Sequence, residues 1–185
     1  LTVFHCRKIV ICAVQGAAFG FGLDLALVGD FTIMAEGTML GLTENDRLSA
    51  DMMMLLPYLT NMKTAKRLMF MYEKLTAQDA LEMGLVNKVV PADKLMEEAE
   101  AWAARLAVVP SITLEQNKRA INHAYDLAGL REAFEFNMQS GALIEQSADK
   151  KAREERNAFV LKYGVSAWLK QHDADMKKKA EEAGR

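Results

Sequence analysis

One segment near the start of the chain combines a buried strand, a glycine-rich turn and an apolar helix. Residues 9–14 are apolar and predict the strand, and residues 21–28 have the continuous apolar character of a buried helix. Between and within them lie Gly16, Gly20 and Gly22, which permit a tight turn. A strand that turns directly into a helix leaves backbone N–H groups at the helix start, where the helix dipole favours an anion. The segment therefore predicts an α/β fold with an anion-stabilising helix start.

Two acidic residues accompany this turn. Asp24 lies inside the apolar run of the helix, and Glu44 follows a further glycine, Gly41. An unpaired acid is costly to bury, which favours Asp24 as a side chain that faces a site. The alternative is an acid that only complements the helix dipole, worth about 0.3–1 kcal/mol. Anion-stabilising amides and two carboxylates are the groups that an enolate-forming enzyme needs.

The order of the glycines argues against a dinucleotide site. Such a site needs the pattern G-x-G-x-x-G, whereas the three glycines here give G-x-x-x-G-x-G. The plain alternative is that these glycines serve only a tight turn and close helix packing.

Composition excludes other classes of protein. With 185 residues, 51% of them hydrophobic, the chain can form one packed domain with a helical appendage. A formal net charge of −2 gives no reason to expect nucleic acid as a partner. No apolar run approaches the ~20 residues that cross a membrane. Cys6 and Cys12 lie in or near an apolar segment and predict reduced thiols, which fit the cytoplasm. The three histidines are far apart, so no metal site is expected.

The chain after the first helix has mixed structure up to Pro91. Strands are predicted over residues 31–35 and 86–90, and helices over residues 49–59 and 62–72. Thr76 and Asp79 resemble a helix N-terminal cap, and Gly84 is placed to end that helix.

Beyond Pro91 the pattern becomes helical. Apolar residues recur at helical spacing and predict helices over residues 95–106, 112–127, 130–144, 148–162 and 166–179. We therefore divide the chain into an α/β core piece, residues 1–91, and a helical region, residues 92–185.

Four ordered motifs resemble the signature of the crotonase (enoyl-CoA hydratase/isomerase) superfamily. The first two of its patterns read close to K-P-V-I-A-A-V-N-G-x-x-x-G-G-G-x-E-L-A-L-A-C-D and G-x-P-E. The first pattern matches Lys8-Ile9-Val10-Ile11-Cys12-Ala13-Val14-Gln15-Gly16 together with Gly20-Phe21-Gly22-Leu23-Asp24-Leu25-Ala26-Leu27-Val28-Gly29-Asp30. The second pattern matches Gly41-Leu42-Thr43-Glu44. Two later motifs of the family match Leu75-Thr76-Ala77-Gln78-Asp79-Ala80 and Gly84-Leu85-Val86-Asn87-Lys88-Val89-Val90-Pro91. Four matches in order over about ninety residues are far more specific than a glycine cluster.

The resemblance implies a fold, a substrate class and site residues. It implies a crotonase-like (ClpP/crotonase) core of ββα units, followed by a helical region that forms trimers or dimers of trimers. The substrate would be an acyl-CoA, with coenzyme A as part of the substrate and no separate cofactor. The Phe21 backbone amide would stabilise the oxyanion, and Asp24 and Glu44 would be the catalytic acids. Substrate-binding positions would be Gly20, Gly22, Gly41 and Trp168. For Trp168, helix packing is the alternative.

The resemblance also has gaps. The family has glycine where Phe21 stands and glutamate where Asp24 stands, and its glycine-rich loop is replaced by residues 45–51. Three methionines, residues 52–54, follow and could form core packing or an acyl pocket wall. The N-terminal half of the family is not matched, so we expect this chain to be a C-terminal portion, with the second oxyanion amide supplied from outside it.

These observations favour a hydratase-type lyase that adds water to an enoyl-CoA through a thioester enolate. Retention of both acids favours hydration over isomerisation, which can proceed with one base. A second hypothesis is a family hydrolase or hydratase of a cyclic oxo- or dienoyl-acyl-CoA, suggested by the altered segment after Glu44. A third is a non-catalytic remnant used for assembly, suggested by the unmatched N-terminal half.

Overall fold

The computed structural model of the chain describes residues 2–42, 54–147, 150–182 and 184. These residues separate into two compact units, residues 1–144 and residues 145–185. The first unit begins with β1 (Ile11–Val14), β2 (Ala17–Phe19), α1 (Phe21–Val28), β3 (Phe31–Ala35), β4 (Met39–Gly41), α2 (Leu56–Leu59), α3 (Met62–Met71), β5 (Leu75–Thr76), α4 (Ala77–Glu82) and β6 (Lys88–Val90). A short 3-10 turn (Ala92–Lys94) leads into α5 (Leu95–Ala107), α6 (Ser111–Leu127) and α7 (Leu130–Ser147), and the second unit contains α8 (Lys150–Tyr163) and α9 (Val165–Glu182).

Two small sheets organise the first unit. In one, β3 lies between β1 and β6 and is parallel to both, and the chain passes from β1 to β3 through β2 and α1. In the other, β4 pairs in parallel with β2 and antiparallel with β5. The predicted strand–helix–strand unit is therefore present, but the second sheet was not predicted. Its strands are two or three residues long, too short to give a periodic pattern in the sequence.

The core lies on both faces of β3. Ile33 and Ala35 pack on one face with Leu95 of α5, whereas Met34 belongs to the cluster that includes Leu23 of α1. Side chains alternate along a strand, so a strand covered by helices on both faces is apolar throughout. This burial explains why the apolar character of residues 31–35 predicts a strand.

The predicted cap of α4 is confirmed. The Asp79 amide donates to Thr76 Oγ1 at 3.1 Å, and the Thr76 amide donates to Asp79 Oδ2 at 2.8 Å. These two bonds form a capping box, which satisfies two amides that the helix leaves without partners. The hydrogen bonds from Thr76 also hold the pKa of the Asp79 carboxyl below its usual value. Gly84 follows the helix with a φ of 74°, as expected of a terminating glycine.

One predicted helix, residues 49–59, is confirmed in its last turn within the described residues. Residues 49–53 lie outside them, and of the remaining residues only Leu56–Leu59 form a helix. Met54 has a φ of 50°, which is incompatible with a right-handed helix. Pro57 lies in the first turn of α2, where its missing N–H costs nothing.

The later helices are confirmed, with ends that differ from the predicted ones by at most three residues. Regular structure after β6 is helical throughout the described residues. A domain boundary near residue 91 stays a prediction. The two compact units separate near residue 144. None of the described helices has the length and apolar character needed to cross a membrane.

Removing the cap of α4 tests the local stability argument. We expect Thr76→Ala to lower the free energy of unfolding by about 1 kcal/mol, because the Asp79 amide loses its acceptor. Thr113→Ala is the matched control, since Thr113 lies exposed in the first turn of α6 and Pro110, not Thr113, is the N-cap residue of that helix. Urea unfolding measures both variants, and an equal loss in the two would contradict the capping argument.

Candidate active site

The start of α1 presents the amides that the sequence predicted. Gly20 precedes the helix with φ 55° and ψ −122°, a conformation that residues with a Cβ rarely adopt. The first bond of the helix is donated by the Asp24 amide to the Gly20 carbonyl at 3.0 Å. The amides of Phe21, Gly22 and Leu23 therefore precede the intrahelical ladder, and no side chain caps them within the described residues. They are placed to donate to an anion.

A hydrogen bond joins two of the predicted glycines. The Gly20 amide donates to the Gly41 carbonyl at 3.1 Å, which extends the pairing of β2 with β4. At Gly41, a Cβ would lie 3.0 Å from the Glu73 carbonyl oxygen, a tight contact that glycine avoids. The structure thus places the end of β4 directly beside the start of α1.

Asp24 is buried in the first turn of this helix. Its exposed fraction is 4%, and its buried neighbours on α1 include Leu23 and Leu27. Phe21 and Leu25 lie on the opposite, exposed side, at 55% and 43% exposure. A carboxylate among apolar side chains is costly to the fold, so its presence here favours a chemical role over simple dipole complementation.

Two predicted site residues, Glu44 and Trp168, stay predictions. Glu44 lies outside the described residues, as do Asn45, Asp46, Arg47, Leu48, Ser49, Ala50, Asp51, Met52 and Met53. Trp168 belongs to α9 in the second unit, where its indole stacks on the His172 ring with centroids 5.0 Å apart. This stacking lies within α9 and does not decide between helix packing and a substrate site, so the role of Trp168 stays a prediction.

Residues that fix α1 against the sheet were not identified from the sequence. The Thr32 hydroxyl of β3 donates to the Ala26 carbonyl, and the Cys12 thiol of β1 contacts the Leu25 carbonyl at 3.3 Å. Burial raises the pKa of the Cys12 thiol, so it acts as a neutral donor rather than a nucleophile. The sequence signal for this role was only a polar residue, Thr32, within an apolar strand.

The described residues contain no group of three or more histidine, cysteine, aspartate or glutamate side chains arranged to hold a metal ion. The groups that the described structure places at the start of α1 are backbone amides and a carboxylate. Such a pair can stabilise developing negative charge and transfer a proton.

The family model for enoyl-CoA hydratase/isomerase matches residues 1–168. The chain belongs to this family. A relative from Dictyostelium discoideum, named "Probable enoyl-CoA hydratase, mitochondrial", is 33% identical over 167 residues, which cover 84% of this chain and 56% of the relative.

Solved structures of family members share the fold. An enoyl-CoA hydratase/isomerase from Xanthobacter autotrophicus Py2 superposes with a TM-score of 0.86 at 29% identity, covering 94% of this chain and 65% of that one. A carnitinyl-CoA dehydratase from Mycobacterium avium 104 gives a TM-score of 0.73 at 29% identity, covering 80% of this chain and 60% of that one. The expected crotonase-like α/β fold with C-terminal helices is thus confirmed. The chain spans about half the length of the curated relatives that it matches.

Replacing Gly20 and replacing Gly22 at the start of α1 should have different effects on the free energy of unfolding. We expect Gly20→Ala to lower the free energy of unfolding by roughly 1–2 kcal/mol, because a Cβ is strained at its positive φ. Gly22→Ala is the matched control, since a Cβ there meets nothing within 4 Å.

Alanine at position 22 also favours the helix, so stability should stay the same or rise by up to about 1 kcal/mol. Urea unfolding distinguishes the two variants. Equal stabilities would contradict the assignment of Gly20 as the residue that fixes the turn.

Proposed function

We propose that the protein to which this chain belongs is an acyl-CoA hydratase-type lyase that adds water to an enoyl-CoA. The observation that carries the proposal is the uncapped start of α1, with buried Asp24 one turn from the Phe21 amide. Coenzyme A enters as part of the substrate, and no separate cofactor is required. Membership of the family supports a CoA-thioester substrate.

In the proposed mechanism the substrate thioester oxygen lies at the start of α1. Negative charge develops on this oxygen as the enolate forms, and the Phe21 amide donates a hydrogen bond to it. A backbone N–H is unaffected by the replacement of glycine with phenylalanine, so the donor is retained. One such donor typically contributes about 10²–10³ in rate.

Asp24 and Glu44 would together carry out the proton transfers of hydration. Asp24 and Glu44 would hold one water molecule between them, and its hydroxide would add to the β-carbon while a proton reaches the α-carbon. The carbon–carbon double bond is consumed, and a β-hydroxyacyl thioester is formed. Since aspartate is one methylene shorter than glutamate, Asp24 would act at hydrogen-bond distance only on a substrate seated close to α1.

The names of two similar proteins are compatible with the proposed hydration. The Dictyostelium discoideum relative is named an enoyl-CoA hydratase, and the Mycobacterium avium neighbour is a carnitinyl-CoA dehydratase. Both names describe addition or removal of water on a CoA thioester. The proposed assembly is a homotrimer or a dimer of trimers built through the helical region, residues 92–185.

One alternative reaction has a specific observation in its favour. Residues 45–51 replace the glycine-rich loop of hydratases with a segment that lacks glycine and proline. This change favours an unusual acyl group, such as a cyclic oxo- or dienoyl-acyl thioester that is hydrated or cleaved by water. Comparing turnover of crotonyl-CoA with that of cyclic thioesters tests the alternative, and strong crotonyl-CoA turnover would exclude it.

Removing either acid tests the catalytic assignment. We expect Asp24→Asn and Glu44→Gln each to lower kcat by about 10²–10⁴, the usual contribution of a positioned acid or base. Glu36→Gln is the control, because Glu36 is exposed in the turn after β3. Circular dichroism establishes that each variant folds. Unchanged rates in both acid variants, with folding intact, would instead favour the non-catalytic assembly role.

Phe21 is expected to restrict the acyl group. Its ring lies beside the amide proposed to bind the thioester oxygen, and 55% of the residue is exposed. We expect Phe21→Gly to raise kcat/KM for branched or cyclic acyl thioesters relative to crotonyl-CoA by about tenfold, equivalent to ~1.4 kcal/mol of relieved crowding.

The control for this experiment is Leu25→Ala, which removes an exposed side chain one turn further along the same helix. The ratio of kcat/KM values should change only in Phe21→Gly. A parallel change in both variants would show that general loosening of α1, not the phenyl ring, controls substrate choice.

A further inference from the structure

A largely apolar cavity of about 380 Å³ lies at the C-terminal end of α1. Its volume falls within the range of small-molecule sites in proteins. Its wall is formed mainly by apolar side chains of α1, α2, α5 and α6, among them Leu27, Leu59, Leu106 and Ile121, and it includes Asp30 and Lys118. All belong to the first compact unit.

The cavity is separate from the proposed catalytic groups. Its contacts with the helix are Leu27 and Val28, followed by Gly29 at the C-cap. The Phe21 amide lies at the other end of this eight-residue helix, about 12 Å of helix length away. Neither Phe21 nor Asp24 lines this cavity.

One ion pair interrupts the apolar wall. Lys118 is 6% exposed, and its ammonium donates to Asp30 Oδ2 at 2.7 Å and to the Lys8 carbonyl at 3.1 Å. The same carboxylate oxygen accepts from the Val10 amide at 2.7 Å. An ammonium has three N–H donors. The described residues supply two acceptors, so one N–H of the Lys118 ammonium is available to a further acceptor.

Such an ion pair is not explained by stability. Replacing a buried pair with apolar side chains of similar volume is often neutral or stabilising. We propose that the cavity is a binding site for an uncharged, mainly apolar molecule that carries one hydrogen-bond acceptor, which receives the third donor of Lys118.

The charges around Lys118 determine the class of ligand. The ammonium and the Asp30 carboxylate neutralise each other, so a second carboxylate from a ligand would meet the negative charge of Asp30. A hydroxyl or carbonyl oxygen accepts from the ammonium without that repulsion. A dry apolar cavity of about 150 Å³ holds benzene, so this larger cavity suits a molecule of roughly ten non-hydrogen atoms.

The experiment titrates the full chain with 1-octanol and, separately, with octanoate at pH 7, using isothermal titration calorimetry. The two probes have the same chain length and differ in the charge of the head group. We expect saturable binding of one octanol, and binding of octanoate at least tenfold weaker. Equal affinity for both probes would overturn the assignment of an uncharged ligand.

Filling the cavity provides the structural control. Leu59→Trp places a larger side chain in the wall, whereas Met62→Trp makes a similar change at a residue that is 65% exposed and outside the wall. Octanol affinity should fall at least tenfold only in the first variant. Leu106→Trp enlarges a side chain of α5 that also lines the cavity. This variant replaces Leu59→Trp in the experiment if circular dichroism shows that Leu59→Trp does not fold.

Absence of saturable octanol binding to the unmodified chain would overturn the proposal. Unchanged octanol affinity in a folded wall variant would overturn it as well. Neither result depends on turnover of an acyl-CoA, so the proposed hydratase activity is tested separately.

Discussion

The hydrogen bond from the Gly20 amide to the Gly41 carbonyl is the contact on which the site geometry depends. It ends β2 against β4, and the positive φ of Gly20 then directs the chain into α1 without an intervening loop. Gly20 is the one residue between the end of β2 and the start of α1. The first amides of α1 therefore have a fixed direction. Fixed donors stabilise developing charge without reorganising during reaction, which is the condition for an effective oxyanion site.

The same helix is held along its length by contacts with the parallel sheet. Ala26 and Leu25 accept from Thr32 and Cys12, and apolar side chains on the same helix enter the main core. These contacts leave Phe21 and Leu25 on the exposed side. A site built on a helix fixed at its start and along its length keeps its donors more precisely placed than one built on a loop.

Local signals made part of this structure predictable from sequence. The apolar strand β3, the buried helix α1 and the capping box at Thr76 each depend on residues close together in the chain. The second sheet could not be predicted, because its short strands are stable only through pairing with one another. The bond between Lys118 and Asp30 joins residues 88 apart in sequence, and nothing local to either residue indicates it. The role of Glu44 depends on residues outside the described structure and stays a prediction.

The dipole of α1 explains why opposite charges are favoured at its two ends. Partial positive charge at the N-terminus suits an anion, and partial negative charge at the C-terminus suits a cation. Asp30, two residues beyond the helix, is by itself unfavourable there, and the buried Lys118 ammonium offsets both its charge and that of the terminal carbonyls. A neutral donor in the cavity wall would leave the Asp30 carboxylate uncompensated in an apolar environment. Once Asp30 is present, the cation is therefore required to compensate its charge, although the pair as a whole is not required for stability.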